Sequence, residues 1–578
     1  MSKVLYVCSR NKLHDTSIKD KLRRICVNLV PDNIEPDPKK HTVFVTDNVA
    51  YAICMDKGAF DTNELSLLAG TLFEGDSINW SEPRGSYPDG NYALFRVNQD
   101  EVEIVSDCAA TRTVWYYHDD ELFVASTSQL AIVMYLESFS FNDATIPWLL
   151  STGSLGPNLS WDKRFRRLQP DSSLLLDRKD WHISVQSNQA FFREVKRQPE
   201  EHQKQLTDAI GQTIMSISAI DFKHWVLPLS GGYDSRGILC FLKKIIGIPD
   251  SLKAVTWGLE ESVHEEGNDA KVAKDLARTI GVPHGFYHTD ISSEPIEAII
   301  ERFLFCSEGR IDHIAGYMDG MDIWKRFHDE KITGVIRGDE GFGWVPVSSK
   351  MTVRTSVGCG LCSDFKNLTH IIDEFKLPAQ ELPNDLQKRD EETLDSWRDR
   401  LYHSYRLPTI LSALSDIKFS YVDQINPLLS RTVINYVRSV PDNLRTDKLL
   451  FRRIVESISP NVPFATKGAN ASPVEILKNK KLYDLLRLEI NSRYSADLLG
   501  RDFIEFINRG MESEQANSGK KKRSIKSLIS SMLPKSIKNI MRDTVAKPTV
   551  HGNILAFRVF IIVKMHKKLT EYSTKRSS

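Results

Sequence analysis

The sequence predicts an α/β protein in two parts: a layered, strand-rich N-terminal part, then a parallel sheet with helices on its faces and a helical extension. Three observations predict it. Short β-type runs divided by turn residues fill the first part. From His224 onward, apolar strand-like runs alternate with helical patterns. A glycine-bearing loop, Ser230-Gly-Gly-Tyr-Asp-Ser235, lies at the C-terminal end of the first of those strands. Open parallel sheets bind ligands at that edge.

In the N-terminal part, Tyr92–Val97, Glu101–Ser106, Val114–His118 and Glu121–Ala125 are rich in aromatic and branched residues. Asn98-Gln-Asp100, Asp107–Arg112 and Asp119-Asp120 separate them as turns. The charged stretch Glu194–Gln203, with Pro199, marks a boundary. Leu206, Ala209, Ile210, Ile214 and Ile217 then fall on one helical stripe. Trp225–Leu229, Ala254–Trp257, Gly285–His288 and Ile332–Ile336 read as strands, and Gly237–Ile245 and Asp269–Ile280 as helices. Such alternation argues for βα units. Beyond Asp390 the chain reads as mostly helical. The expected division is 1–195, 205–500 and a basic helical extension, 501–578.

The 578 residues carry no formal net charge, so bulk charge gives no reason to expect a nucleic-acid partner. The first fifteen residues are too polar for a secretory signal. The longest apolar run, Ile554–Val563, is interrupted by Arg558 and is far short of the ~18 residues that span a bilayer. A cytoplasmic protein is expected. The eight scattered cysteines read as thiols, and the lone Cys359-Gly-Leu-Cys362 pair lacks the partners of a structural zinc site, even with His370 as a third ligand. Lys520-Lys-Lys-Arg523, followed by Lys526, Lys535, Lys538 and Arg542 among apolar residues, reads as a solvated linker and terminal helix, or as a basic face for a membrane surface or acidic partner.

The loop has the residue types that phosphate binding needs. Gly231 and Gly232 permit close backbone approach. A helix start offers N–H groups and the positive end of its dipole. Ser230 and Ser235 add hydroxyls. Asp234 repels bare phosphate and makes sense only with a bridging Mg²⁺. No GxxxxGK[ST] loop occurs in the chain. Three further stretches accompany it: Arg337-Gly-Asp-Glu-Gly-Phe-Gly-Trp344, Asn426-Pro-Leu-Leu429 through Lys448-Leu-Leu-Phe-Arg452, and Pro463-Phe-Ala-Thr-Lys467-Gly468. In the second of these, Lys448 and Arg452 are placed at i and i+4 on one helix face.

Together these stretches resemble the asparagine synthetase family, which includes β-lactam synthetases and lasso-peptide cyclases. The resemblance runs over residues 65–475. It implies an Ntn-hydrolase-like αββα domain followed by a Rossmann-like ATP pyrophosphatase domain. It implies that Ser230, Gly231, Gly232, Asp234 and Ser235 hold the pyrophosphate of ATP, with Leu229, Trp257 and Gly338 lining the nucleotide. Asp234 and Asp339 would bind Mg²⁺. Lys467 would steady the charged transition state, with Glu340 as a second catalytic candidate. The chain departs from the pattern at Arg337, where synthetases carry Glu, at Ser430, where they carry Asp, and at Arg236, commonly a small residue. Arg236 is expected to grip phosphate or face solvent.

Asp89-Gly-Asn-Tyr-Ala-Leu-Phe95, Ser106-Asp107, Arg112 and Val114-Trp-Tyr-Tyr117 resemble the later part of the family's glutaminase domain, whose nucleophile is an N-terminal cysteine. The given sequence begins Met1-Ser2-Lys3, and Cys8 sits inside a strand-like run. The expectation is therefore an amide- or lactam-forming synthetase using ATP and Mg²⁺ on a small-molecule or peptide carboxylate without glutamine hydrolysis. Ammonia-dependent asparagine synthesis or sugar-acid amidation, and a non-catalytic nucleotide-binding regulator, are the alternatives. A homodimer stays open.

Overall fold

The computed structural model describes residues 3–13, 15–55, 60–73, 79–469, 472–512 and 546–574. Twelve strands build the N-terminal part: β1 (Lys3–Ser9), β2 (Thr42–Val45), β3 (Val49–Cys54), β4 (Phe60–Asn63), β5 (Ser66–Leu72), β6 (Gly90–Val97), β7 (Glu101–Ser106), β8 (Trp115–His118), β9 (Leu122–Ser126), β10 (Arg166–Arg167), β11 (Ser172–Asp177) and β12 (His182–Ser187). They form two antiparallel six-stranded sheets, β10-β8-β9-β1-β3-β2 and β12-β11-β7-β6-β5-β4.

Strand β1 shows why these sheets stack. Its residues alternate between faces, as pleating requires. Val4, Tyr6 and Cys8 enter the core between the sheets, with Phe95, Ile104 and Leu174 from the second sheet. Leu5 and Val7 join the core on the other face, beneath the helices Asp15–Asn28 and Gln129–Leu136. Both faces are covered, so the strand is apolar throughout. The outer face of the second sheet packs Leu68, Tyr92 and Leu94 against Trp80 and Tyr87.

Five strands form the parallel sheet: β13 (Trp225–Pro228), β14 (Lys253–Gly258), β15 (His284–His288), β16 (Gly334–Ile336) and β17 (Asp423–Ile425), in the order β15-β14-β13-β16-β17. The chain is thus a mixed α/β protein, as its sequence predicts. The predicted helices at 237–245 and 269–280 fall within Asp234–Ile245 and Asp269–Ile280, and the stripe from Leu206 to Ile217 lies in Pro199–Ser216 and the first residue of the turn that follows it. Strand β17 lies in the stretch read as helical. Three buried residues are too few to show a period.

The N-terminal sandwich docks beside β17. Asp89 accepts from the Arg431 amide at 2.6 Å and the Thr432 amide at 3.1 Å. Asn91 accepts from the Asn426 amide at 2.6 Å. The Arg112 guanidinium donates to the Asp423 carboxylate, both groups buried.

Within the stretch expected as a basic helical extension, the helix Gly552–Thr574 is a core element. Residues 555–563 are all buried. A helix apolar on every side belongs in a core. It packs on Gln129–Leu136 and Thr145–Thr152 of the first part and on Pro473–Lys478 and Lys480–Ile490 of the second. Arg558 is accommodated because it donates to Asp312 Oδ2 at 2.7 Å and to the Leu150 carbonyl at 2.7 Å. The basic segment from Lys520 to Arg542 and the Met1–Ser2 start lie outside the described residues.

All eight cysteines are unpaired and buried. Cys359 and Cys362 belong to separate apolar clusters, and His370 is exposed. Burial pushes the Cys8 thiol up to about 11. Among the described residues, no helix is long and apolar enough to cross a membrane.

Burial raises the Asp312 carboxyl, but Arg558 and His313 outweigh it and bring it down from 3.8 to about 2. A carboxyl depressed on folding stabilises above its unfolded pKa, and that contribution is lost as pH falls through its folded pKa. Arg558→Met is expected to cost about 3 kcal/mol at neutral pH, because Asp312 is left buried and uncompensated. The gap between variant and parent should shrink as pH falls from 3.8 toward about 2. Chemical denaturation across that range measures it.

Candidate active site

The site lies at the C-terminal end of the central strand β13. The strand ladder continues to Leu229, whose amide donates to the Val255 carbonyl at 2.7 Å. The chain then folds back on itself. The Ser230 amide donates to Ser235 Oγ at 2.9 Å, and the two hydroxyls lie 3.0 Å apart. The Gly231 amide donates to Asp269 Oδ1 at 2.7 Å. Gly231 must be glycine: a Cβ there would meet the Cβ atoms of Ala465 at 2.7 Å and Val272 at 2.9 Å. The helix Asp234–Ile245 starts at once with no side-chain cap. Its first-turn N–H groups are left for a ligand or water.

A cleft of about 250 Å³ opens above the loop. It is lined by Leu229, Ser230, Asp234, Ser235, Trp257, Gly338 and Asp339 from the predicted set, together with Thr256, Asp269 and Arg337. The Arg337–Trp344 stretch follows β16, the neighbour of β13. Gly338 lets it approach, since a Cβ would lie 3.0 Å from the Ser235 amide nitrogen. Arg337 replaces the expected acid and lies 3.3 Å from Asp339.

Lys448 is the centre of the local electrostatics. Its Nζ lies 2.9 Å from Asp234 and 2.7 Å from Glu340. Glu340 is buried, and its other oxygen accepts from the Phe342 amide at 2.6 Å. Burial pushes the Glu340 carboxyl up to about 7, with Asp234 adding to the rise and Lys448 opposing it. Burial raises the Asp234 carboxyl as well, again opposed by Lys448. Burial lowers the Lys448 ammonium, but Glu340 and Asp234 outweigh this and carry it above the usual lysine range.

The sequence placed Lys448 and Arg452 on one helix face; the structure does not. Lys448 has φ 56° and precedes the helix Leu449–Ile458. Its left-handed backbone sits beside Asp447, also left-handed, where a side chain is strained. Arg452 turns away to Asp447 at 2.6 Å and lies over the Tyr233 ring.

Lys467 is not brought into the cleft. Its side chain is 53% exposed and pairs with Glu265. Its carbonyl instead accepts from the Asp269 amide at 3.0 Å, so the 463–468 loop braces the helix that presents Asp269. Arg236 neither grips the cleft nor faces solvent. It is fully buried, donates to the Val462 and Pro463 carbonyls at 2.8 Å each, and lies 3.9 Å over the Phe464 ring. Ser430, at the expected Asp position, caps the helix Arg431–Val437. Asp269 escaped notice because an acid at a helix start reads equally as a complement to the dipole.

Mg²⁺ is ordinarily held by one or two carboxylates plus substrate phosphates. Asp234 and Asp339 line the cleft and fit that role. Among the described residues no cluster of three or more acidic, His or Cys side chains forms a protein-only cage.

No family model matches the chain, and no curated protein matches it. Several solved structures align in part. An ammonia-dependent NAD synthetase from Campylobacter jejuni is 16% identical, over 29% of this chain and 63% of that one, with a TM-score of 0.18. A glutamine phosphoribosylpyrophosphate amidotransferase from B. subtilis is 10% identical, over 52% and 92%, with a TM-score of 0.20. A U34-tRNA thiolase from Methanococcus maripaludis is 14% identical, over 56% and 84%, with a TM-score of 0.23. Likenesses of this extent carry no argument about chemistry.

The two lysines separate by experiment. Lys448→Met leaves Asp234 and Glu340 facing each other without a counter-charge and is expected to cost about 3 kcal/mol. Lys467→Met removes only an exposed ion pair and should leave the denaturation midpoint unchanged. Urea unfolding of both variants measures the difference.

Proposed function

We propose that the chain is an ATP-dependent amide- or lactam-forming synthetase that adenylates a carboxylate. One observation supports this most: an uncapped helix start after a Gly-Gly turn, with Asp234, Asp269 and Asp339 lining the same cleft and Lys448 paired to Asp234. Neutral ligands need no such charge. A triphosphate with Mg²⁺ does.

In this reading, Gly231, Gly232 and the hydroxyls of Ser230 and Ser235 cradle the β- and γ-phosphates. Leu229 and Trp257 line the base and ribose side. Mg²⁺, when bound, neutralises phosphate charge against Asp234 and Asp339. A carboxylate oxygen of the substrate attacks the α-phosphorus, the α–β bridging bond breaks, and pyrophosphate leaves with the electron pair. Lys448, through its pair with Asp234, takes the role of fixed cation beside the phosphates that the resemblance implied for Lys467. An amine then attacks the acyl carbon, the acyl–phosphate bond breaks, and AMP leaves. Glu340, buried and held by Lys448 and the Phe342 amide, positions Lys448 beside Asp234. The nitrogen comes from ammonia or from the substrate itself. The buried Cys8, with its thiol pushed up, is unsuited to hydrolyse glutamine.

The test is exchange of labelled pyrophosphate into ATP with a panel of carboxylic acids. Asp234→Asn and Lys448→Met are each expected to lower acid-dependent exchange by ~100-fold or more, as loss of an electrostatic group in an active site does. Release of ADP and phosphate sinks the proposal. Tight ATP binding with no AMP from any acid favours a regulatory role instead.

A further inference from the structure

A second cavity, of about 600 Å³, adjoins the cleft and shares Trp257 and Arg337 with it. Its walls are largely apolar: Tyr317, Ile323, Trp324, Leu477, Ile554 and Phe557. The last two belong to the buried helix Gly552–Thr574, so this helix forms one wall. Thr152, His313 and the ion pair of Asp312 with Arg558 also line it. Two further cations in the lining, Lys418 and Arg337, lack such a partner or hold it weakly. Lys418 is 4% exposed, and its ammonium lies over the Trp324 ring at 5.6 Å. Among the described residues that ammonium has no hydrogen-bond or ion-pair partner. Arg337 is held by one long contact to Asp339, and its Nε is buried without an acceptor.

Buried cations are paired in folded proteins, because the desolvation of an unpaired ammonium is costly. Burial and the neighbouring Arg337 push Lys418 well below the usual lysine range, with Asp339 opposing. That direction disfavours the charged ammonium on its own, and an anion seated beside it would restore the charge. Most of the other walls reward apolar surface, and the charges of Asp312 and Arg558 in the lining already satisfy each other.

We propose that this cavity seats the substrate acid, that Lys418 and Arg337 bind its carboxylate at the neck shared with the ATP cleft, and that the rest of the substrate is a bulky apolar body, aromatic or branched. The assignment rests on the reading of the cleft as an adenylation site, because only there does a carboxylate at the neck face the α-phosphate. It predicts that aspartate-like acids, small and doubly charged, are poor substrates.

Trp257 and Trp324 both line the cavity, so intrinsic fluorescence reports its occupancy without ATP. The probes are 4-phenylbutyrate and its neutral amide. The acid is expected to quench saturably and at least ~10-fold more tightly than the amide, the scale of one charge-assisted contact. Lys418→Met should abolish that preference while keeping or raising the melting temperature, since an unpaired buried charge is removed. Lys418→Arg should retain the preference. Equal binding of acid and amide, or a preference surviving in Lys418→Met, overturns the proposal. Acid preference without pyrophosphate exchange upholds the acid pocket and sinks the adenylation reading. Exchange whose KM for every acid is unmoved by Lys418→Met sinks the pocket and leaves the adenylation reading standing.

Discussion

The ammonium of Lys448 joins three segments that are far apart in sequence. Asp234 comes from the loop after β13, Glu340 from the stretch after β16, and Lys448 from the strained turn before Leu449–Ile458. Remove the cation, and two carboxylates repel across a cleft floor. With it, the loop, its neighbouring strand end and the helical region are held in one geometry. The left-handed backbone at Asp447 and Lys448 is tolerated because the salt bridges at its end over-determine it. Electrostatic preorganisation of this kind carries no cost when the ligand arrives.

The same logic explains several residues of the stretch that resembles a glutaminase domain. Asp89, Asn91 and Arg112 each spend their polar groups on the segment from Asp423 to Thr432. Asp107 turns inward to its own chain, accepting from the Tyr92, Ala109 and Thr111 amides. These side chains dock one half on the other.

Much of the fold was legible. Residues 92–126 alternate cleanly enough that four strands could be bounded within a residue or so, because each lies in a sheet with one face in the core between the two sheets. The loop residues were legible because their types follow from phosphate chemistry. Three things were not. Strand β17 is too short for periodicity. Lys467 and Lys448 are both cations in the right half, and only the fold shows which one reaches Asp234. Arg236 is a charged residue whose terminal nitrogens donate to backbone carbonyls and whose plane lies over an aromatic ring, a partnership between segments more than two hundred residues apart. The burial of the run at 554–563 was not legible, because one arginine in an apolar stretch does not reveal the buried acid that receives it.

That acid is Asp312, and the helix it admits alters what the boundary near residue 195 means. Arg558 reaches the Leu150 carbonyl across 408 positions of sequence. Closing so long a loop adds little entropy cost beyond that of a moderate one, but contacts of this range slow folding. The linker therefore divides the chain on paper and not in cooperativity. Either half, excised there, would keep its own sheet system and lose a wall of shared core. Gene fusion or fission at that seam would have to rebuild an interface, so the halves of this molecule are expected to travel through evolution as one heritable unit.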